Sequence, residues 1–127
     1  MRFQLNRFIK SFGYGFKGIQ KAFKTEQNLV IHFVIVIVVV LTGIYLNIST
    51  ISWGLITFSI FFVVSSELMN TSIEKLSDIV SEGEANQKIA AVKDIAAGAV
   101  LMAAINALII GFLFLLIPLY YKFFGPR

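Results

Sequence analysis

The chain contains no cysteine, which excludes disulfides, thiolate metal sites and a cysteine nucleophile. Charge is scarce: only 14% of the 127 residues are Asp, Glu, Lys or Arg, against roughly 25% in soluble domains. With 57% hydrophobic residues and a mean hydropathy of +0.83, this composition predicts one small membrane domain with no room for a separate soluble one. The first ~25 residues lack the continuous apolar core and small-residue cleavage site of a signal peptide, and are expected to stay. No G-x-x-x-x-G-K-[ST] and no H-R-D or D-F-G occurs, so neither P-loop nor protein-kinase chemistry is predicted. GYGFKG at residues 13–18 spells G-x-G-x-x-G, but no strand precedes it, and that motif works only between strand and helix. Gly13, Gly15 and Gly18 instead predict an interrupted, bendable helix and a close backbone approach to a neighbouring helix or ligand.

What the chain does have is acid inside an apolar stretch. Residues 61–78 read FFVVSSELMNTSIEKLSD, with no proline or glycine between hydrocarbon and carboxylates. At ~100° per residue, Glu67, Asn70, Glu74 and Asp78 fall within an arc of roughly 80°, with Thr71 beside them, while Leu68, Met69 and Ile73 point elsewhere. A central acid in a membrane helix costs on the order of 3 kcal/mol. A metal ion, a cationic partner or a proton must offset that cost.

Along the chain, residues 2–24 place Leu5, Phe8, Ile9, Phe12, Phe16, Ile19 and Phe23 on one helical face and Arg2, Arg7, Lys10, Lys17, Lys21 and Lys24 on the other. That pattern predicts an amphipathic helix in an anionic headgroup layer. Residues 29–46 are predicted as the first membrane helix: β-branched as they are, a lone strand in lipid leaves its backbone unsatisfied. His32, one turn in, reads as a hydrogen-bonded interfacial residue. Residues 51–80 are the second membrane helix, with Trp53 at interface depth, and Gly83 breaks the loop that follows. Residues 93–121 are the third, where Ala99, Ala103, Ala107 and Gly111 make a small-residue ribbon for close helix packing and Asn106 is placed to bond across helices. Cations crowd the N-terminus and, as Lys75, Lys88 and Lys93, the second loop, while the first link has none and the tail has only Lys122 and Arg127. The N-terminus and second loop are therefore expected in the cytoplasm and the C-terminus outside.

This places Glu26, Glu74, Asp78, Lys93 and Asp94 at one boundary, with Glu67 about 10 Å deeper, seven residues along a helix. Magnesium takes one or two carboxylates plus phosphate oxygens, a role that fits Glu26 and Glu74. Lys93 suits a phosphate as a point charge, and Glu67, the most desolvated, suits a base. A lipid hydroxyl is the acceptor available at that depth. The same residues also allow a proton-coupled carrier using Glu67, or a structural subunit without chemistry.

The motifs ELMNTSIEKLSD and KDIAAGAVL decide between these readings. With GYGFKGI and the acid of KTEQN, they resemble the prokaryotic diacylglycerol kinase family, whose signature is close to E-[LIV]-x-N-[TS]-[AS]-I-E followed, after a loop, by K-D and small residues. Glu67, Asn70, Thr71, Ile73 and Glu74 match the first part, and Lys93, Asp94, Ala97, Gly98 and Ala99 the second. The resemblance covers nearly the whole chain. It implies an all-α membrane protein of the bacterial inner membrane, a homotrimer of protomers with one surface helix and three membrane helices each, using ATP and Mg2+ at sites shared between protomers, and no nucleic acid. By resemblance Glu67 is the catalytic base and Glu26 and Glu74 bind the metal. Asn70, Lys93 and Asp94 are nucleotide-site residues, with Arg7 and Tyr14 as N-terminal nucleotide contacts. The second loop departs from the family in lacking a histidine, and Glu82 is the candidate there. Val30 stands where members often carry arginine. Diacylglycerol is the acceptor implied, with undecaprenol as the alternative.

Overall fold

The structure, a computed structural model, describes residues 5–82 and 86–126, with the side chain of Asn6 excepted. Of the residues singled out above, Arg2, Gly83 and Arg127 lie outside it. Every element is helical: α1 (Leu5–Thr25), α2 (Gln27–Leu46), α3 (Thr50–Ser81), α4 (Gln87–Gly111), a π-helical turn (Phe112–Leu116) and α5 (Ile117–Phe124). Among the described residues, three helical runs are long and apolar enough to cross a membrane: Gln27–Leu46, Thr50–Ser81 and Gln87–Phe124.

Helix α1 runs without interruption through Gly13, Gly15 and Gly18, contrary to the break expected there. Each glycine costs a helix only about 1 kcal/mol relative to alanine, less than unpairing backbone groups beside apolar surface. Nor does any neighbour within the chain approach them closely, since a Cβ at each would meet nothing within 4 Å. Phe12 and Phe16 of α1 are exposed, at 67% and 71%. The C-terminal end of α1 is anchored, where Ala22 is buried and Phe23 meets Phe33 of α2 edge-to-face at 5.9 Å.

Helix boundaries follow capping chemistry that hydropathy does not register. Asn47 closes α2 in the left-handed conformation at φ 51° and bonds back to Gly43 and Ile44, as asparagine does at helix ends. Ser49 opens α3, its Oγ accepting from the Ser52 amide at 3.2 Å. Asn86 opens α4, its Oδ1 accepting from the Lys88 amide at 2.9 Å. The third long helix thus starts at Gln87, a turn and a half before the boundary expected at 93, because hydropathy marks only its lipid-embedded part. Near its far end Ile117 N–H reaches Phe112 O. This wider turn precedes Pro118, which has no N–H to give and whose ring would crowd a tighter one.

The most extensive packing joins α3 to α4. Ser52, Ile56, Ser59, Val63, Glu67, Asn70 and Ser77 form the buried stripe of α3, at spacings of four and three that keep one seam facing a neighbour. Most of that stripe is polar while Phe58 and Phe61 face outward, the arrangement lipid selects. On α4 the partners are Ala96 and Ala103, the latter fully buried. Asn106 Nδ2 donates to Ser59 Oγ at 3.3 Å, the cross-helix bond expected of it. Other members of the ribbon lie off the seam: Ala99 is exposed, Ala107 is half-buried on the wall of an apolar groove and Gly111 faces open space. A four-residue repeat drifts about 40° per step, so one straight neighbour cannot cover it. Ala103→Leu is therefore expected to destabilise the chain by about 1–3 kcal/mol through overpacking. Thermal inactivation in detergent should occur at lower temperature, while Met102→Leu, on the exposed side, should leave it unchanged.

Helix α2 is held mainly at its ends. At Gly43 a Cβ would lie 2.8 Å from the Trp53 ring, so the glycine is what lets the indole pack there. Lys122 Nζ donates to Tyr45 O at 2.9 Å and stands 3.9 Å above the Tyr45 ring, a cation at the negative end of α2. Between these ends an open apolar groove of about 530 Å³ separates α2 from α3 and α4, lined by Val36, Val39, Ile56, Val63, Ala107 and Leu115, with His32 also on its wall.

Candidate functional site

Helix α3 is 32 residues long, about 48 Å at 1.5 Å per residue, against roughly 30 Å of hydrocarbon. One end therefore leaves the membrane, and the acidic face lies towards it. The expected face forms: Glu67, Asn70 and Thr71 are buried at 3%, 8% and 6% exposure, Glu74 is half-buried and Asp78 exposed. Met69 points away at 63%. Among these acids, burial thus falls from Glu67 through Glu74 to Asp78.

Asn70 Nδ2 donates to Glu74 Oε1 at 3.0 Å, one turn apart on the same face. The other Asn70 atom, Oδ1, is buried with no partner, an arrangement that costs about 1–3 kcal/mol unless something fills it. No ion pair reaches Glu67: the two salt bridges among the described residues are Lys75–Glu26 and Lys93–Asp78.

Glu26 sits at the joint between α1 and α2, in extended backbone ahead of α2. Thr25 Oγ1 donates to Glu26 Oε1 at 2.7 Å. Lys75, from α3, donates to the same oxygen and lies 3.5 Å from Thr25 Oγ1. These donors, Lys75 first and Thr25 next, hold the Glu26 carboxyl below its ordinary range. The tie between joint and α3 is therefore complete above the ordinary carboxylate range and is lost only as pH falls through that lowered value.

Lys93, the expected phosphate ligand, donates to Asp78 Oδ1 at 2.5 Å, which fixes the first turns of α4 against the outer end of α3. Asp94 is exposed. Glu82 closes α3 in the left-handed conformation at φ 50° and is exposed. Arg7 and Tyr14 are exposed on α1, roughly 27 Å and 17 Å of helix from its Thr25 end. The chain thus brings Glu26 to α3 and Lys93 to α3, and leaves Arg7 and Tyr14 apart from both. Lys75 and Thr25 were missed by sequence reasoning: a lysine following Glu74 carries no local signal of meeting an acid 49 positions earlier.

The oxygen donors suit a hard dication. Glu74 has one oxygen engaged by Asn70 and a second without an assigned bond, and the orphaned Asn70 Oδ1 lies in the same buried stretch. No group of three His, Asp or Glu that could hold a metal occurs among the described residues. Magnesium is compatible with that, since it commonly uses one or two carboxylates and completes its shell with phosphates and water.

The chain matches a family model described as prokaryotic diacylglycerol kinase across residues 13–115. It is 37% identical over 115 residues to the undecaprenol kinase of Bacillus subtilis, covering 91% of this chain and 93% of that protein. It is 36% identical over 112 residues to a diacylglycerol kinase of Synechocystis, covering 87% of this chain and 63% of that one. With the diacylglycerol kinase of Escherichia coli K12 the identity is 31% over 103 residues, 81% of this chain and 84% of the other.

Proposed function

The chain belongs to the prokaryotic diacylglycerol kinase family and is a membrane lipid kinase; from that premise we propose that it transfers the γ-phosphoryl group of ATP, with Mg2+, to the hydroxyl of diacylglycerol, giving phosphatidate. The observation that carries this reading is the graded acidic face of α3. A buried carboxylate, Glu67, stands two turns inward of a half-buried one, Glu74, that Asn70 holds in place.

In this reading Glu67 accepts the proton of the lipid hydroxyl. The hydroxyl oxygen bonds to the γ-phosphorus as the bond from phosphorus to the ADP oxygen breaks. Burial serves the base: it keeps water from competing for the phosphoryl group. Glu26 and Glu74 would hold the metal. Bound magnesium supplies charge neutralisation for the polyphosphate. Asn70 orients Glu74; near the start of α4, beside the outer end of α3, Lys93 would receive a phosphate and Asp94 would be a nucleotide-site residue. Val63, on the wall of the apolar groove, is one turn from Glu67 on the same stripe. A lipid chain along that groove carries its hydroxyl towards the carboxylate.

Arg7, Tyr14 and Glu82 complete the nucleotide site in a homotrimer, where α1 of one chain is free to cover another. The surface-lying role of α1 is supported by the exposed Phe12 and Phe16 opposite Lys10, Lys17 and Lys21. The distribution of cations supports an N-terminus in the cytoplasm and a C-terminus outside, in the bacterial inner membrane that the family implies.

Undecaprenol is a second reading of the acceptor, favoured by the match over 93% of the Bacillus enzyme. Purified protein offered labelled ATP with each lipid in turn tests both. Labelled phosphatidate formed several-fold faster than undecaprenyl phosphate is the expected result. The reverse order assigns the protein to undecaprenol, and transfer to neither lipid ends the kinase reading of this site.

A further inference from the structure

Lys75 has no part in the chemistry above, yet it occupies one of its proposed ligands. Its ammonium donates to Glu26 Oε1 and stands 3.5 Å from Thr25 Oγ1, while its neighbour in sequence, Glu74, is held by Asn70. We propose that Lys75 is a resident counter-cation of the metal position: its ammonium neutralises Glu26 until a divalent ion displaces it, and so sets how tightly that ion binds. The inference rests on the reading of Glu26 as a metal ligand.

Three observations carry it. First, the joint after α1 and the acidic face of α3 each bring a carboxylate to this boundary, and Lys75 is the cation between the two segments. Without Lys75 the joint loses that tie to α3. Second, the lysine side chain is 46% exposed and that of Glu26 23% exposed. The ammonium therefore has water to move into when a dication arrives, and its flexible stem permits the move. Third, Lys93 behaves differently. It pairs with Asp78, a carboxylate with no proposed part in metal binding, so its ammonium does not stand against the metal position.

Mn2+ is the probe, since it shares oxygen ligands with magnesium and is read directly by electron paramagnetic resonance. The full chain in lipid nanodiscs, without nucleotide, is titrated at low and high salt. Lys75→Met is expected to bind Mn2+ roughly three- to tenfold tighter at low salt, because a competing charge beside a dication is removed. The difference should shrink at high salt through screening, a dependence that a purely structural tie would not produce. Lys75→Arg keeps the charge and should bind like the parent, and Glu26→Gln should bind more weakly. If Lys75→Met binds no tighter while Glu26→Gln binds more weakly, the counter-cation role falls and Glu26 stands as a ligand. If Glu26→Gln binds as the parent does, or if neither the parent nor Lys75→Met binds Mn2+, Glu26 is not a ligand and both readings fall.

Discussion

Glu67→Gln is expected to lower lipid-dependent transfer from labelled ATP by about a hundred- to ten-thousandfold, the usual contribution of a positioned general base. The substitution is nearly isosteric, so the site, at 3% exposure, keeps its shape. It removes the proton acceptor and leaves Asn70, Glu74 and Lys93 in place. The loss should therefore fall on kcat, with the KM for ATP little changed, and the detergent-solubilised protein should keep its helical content and its elution volume. A carrier that loaded protons on Glu67 would lose proton flux in this variant and would show no transfer from ATP in the parent. Parental turnover in Glu67→Gln would remove the base from this position.

The acidic face was legible in the sequence because it depends only on helical geometry within one segment. The spacing of Glu67, Asn70 and Glu74 fixes a common face whatever surrounds it, and the cost of burying Glu67 signals that the face has work to do. The cross-helix bond from Asn106 was legible for a similar reason, since a lone amide in lipid needs a partner. Features that depend on two distant segments were not. The salt bridge from Lys75 to Glu26 joins positions 49 apart, and that from Lys93 to Asp78 spans a loop. Neither pair differs in sequence from charges that merely face water. The glycines of α1 misled for the opposite reason: propensity ranks them as breaks, but a helix beside apolar surface loses more by opening its hydrogen bonds than by carrying three glycines. The π-helical turn before Pro118 was invisible because a hydropathy pattern carries no record of hydrogen-bond register.

Substitutions at Glu74 separate two jobs that one side chain performs. Its Oε1 accepts from Asn70 Nδ2, and its charge is proposed to hold magnesium. Glu74→Ala removes both. Asn70, at 8% exposure, then loses a buried acceptor, which costs about 1–3 kcal/mol, so heat stability and metal binding should fall together. Glu74→Gln keeps an oxygen for Asn70 and removes only the charge. In that variant the thermal midpoint should stay close to the parent's, while the magnesium needed for half-maximal activity rises about ten- to a hundredfold, as it does when support for a metal is lost. Excess magnesium should restore much of the activity of Glu74→Gln and less of that of Glu74→Ala. An unchanged magnesium requirement in both variants would leave Glu74 a structural partner of Asn70, and the metal would then need its second carboxylate from elsewhere. A raised requirement in Glu74→Gln with unaltered stability assigns the charge to the metal, because the packing and the hydrogen bond at that position would be the same in parent and variant.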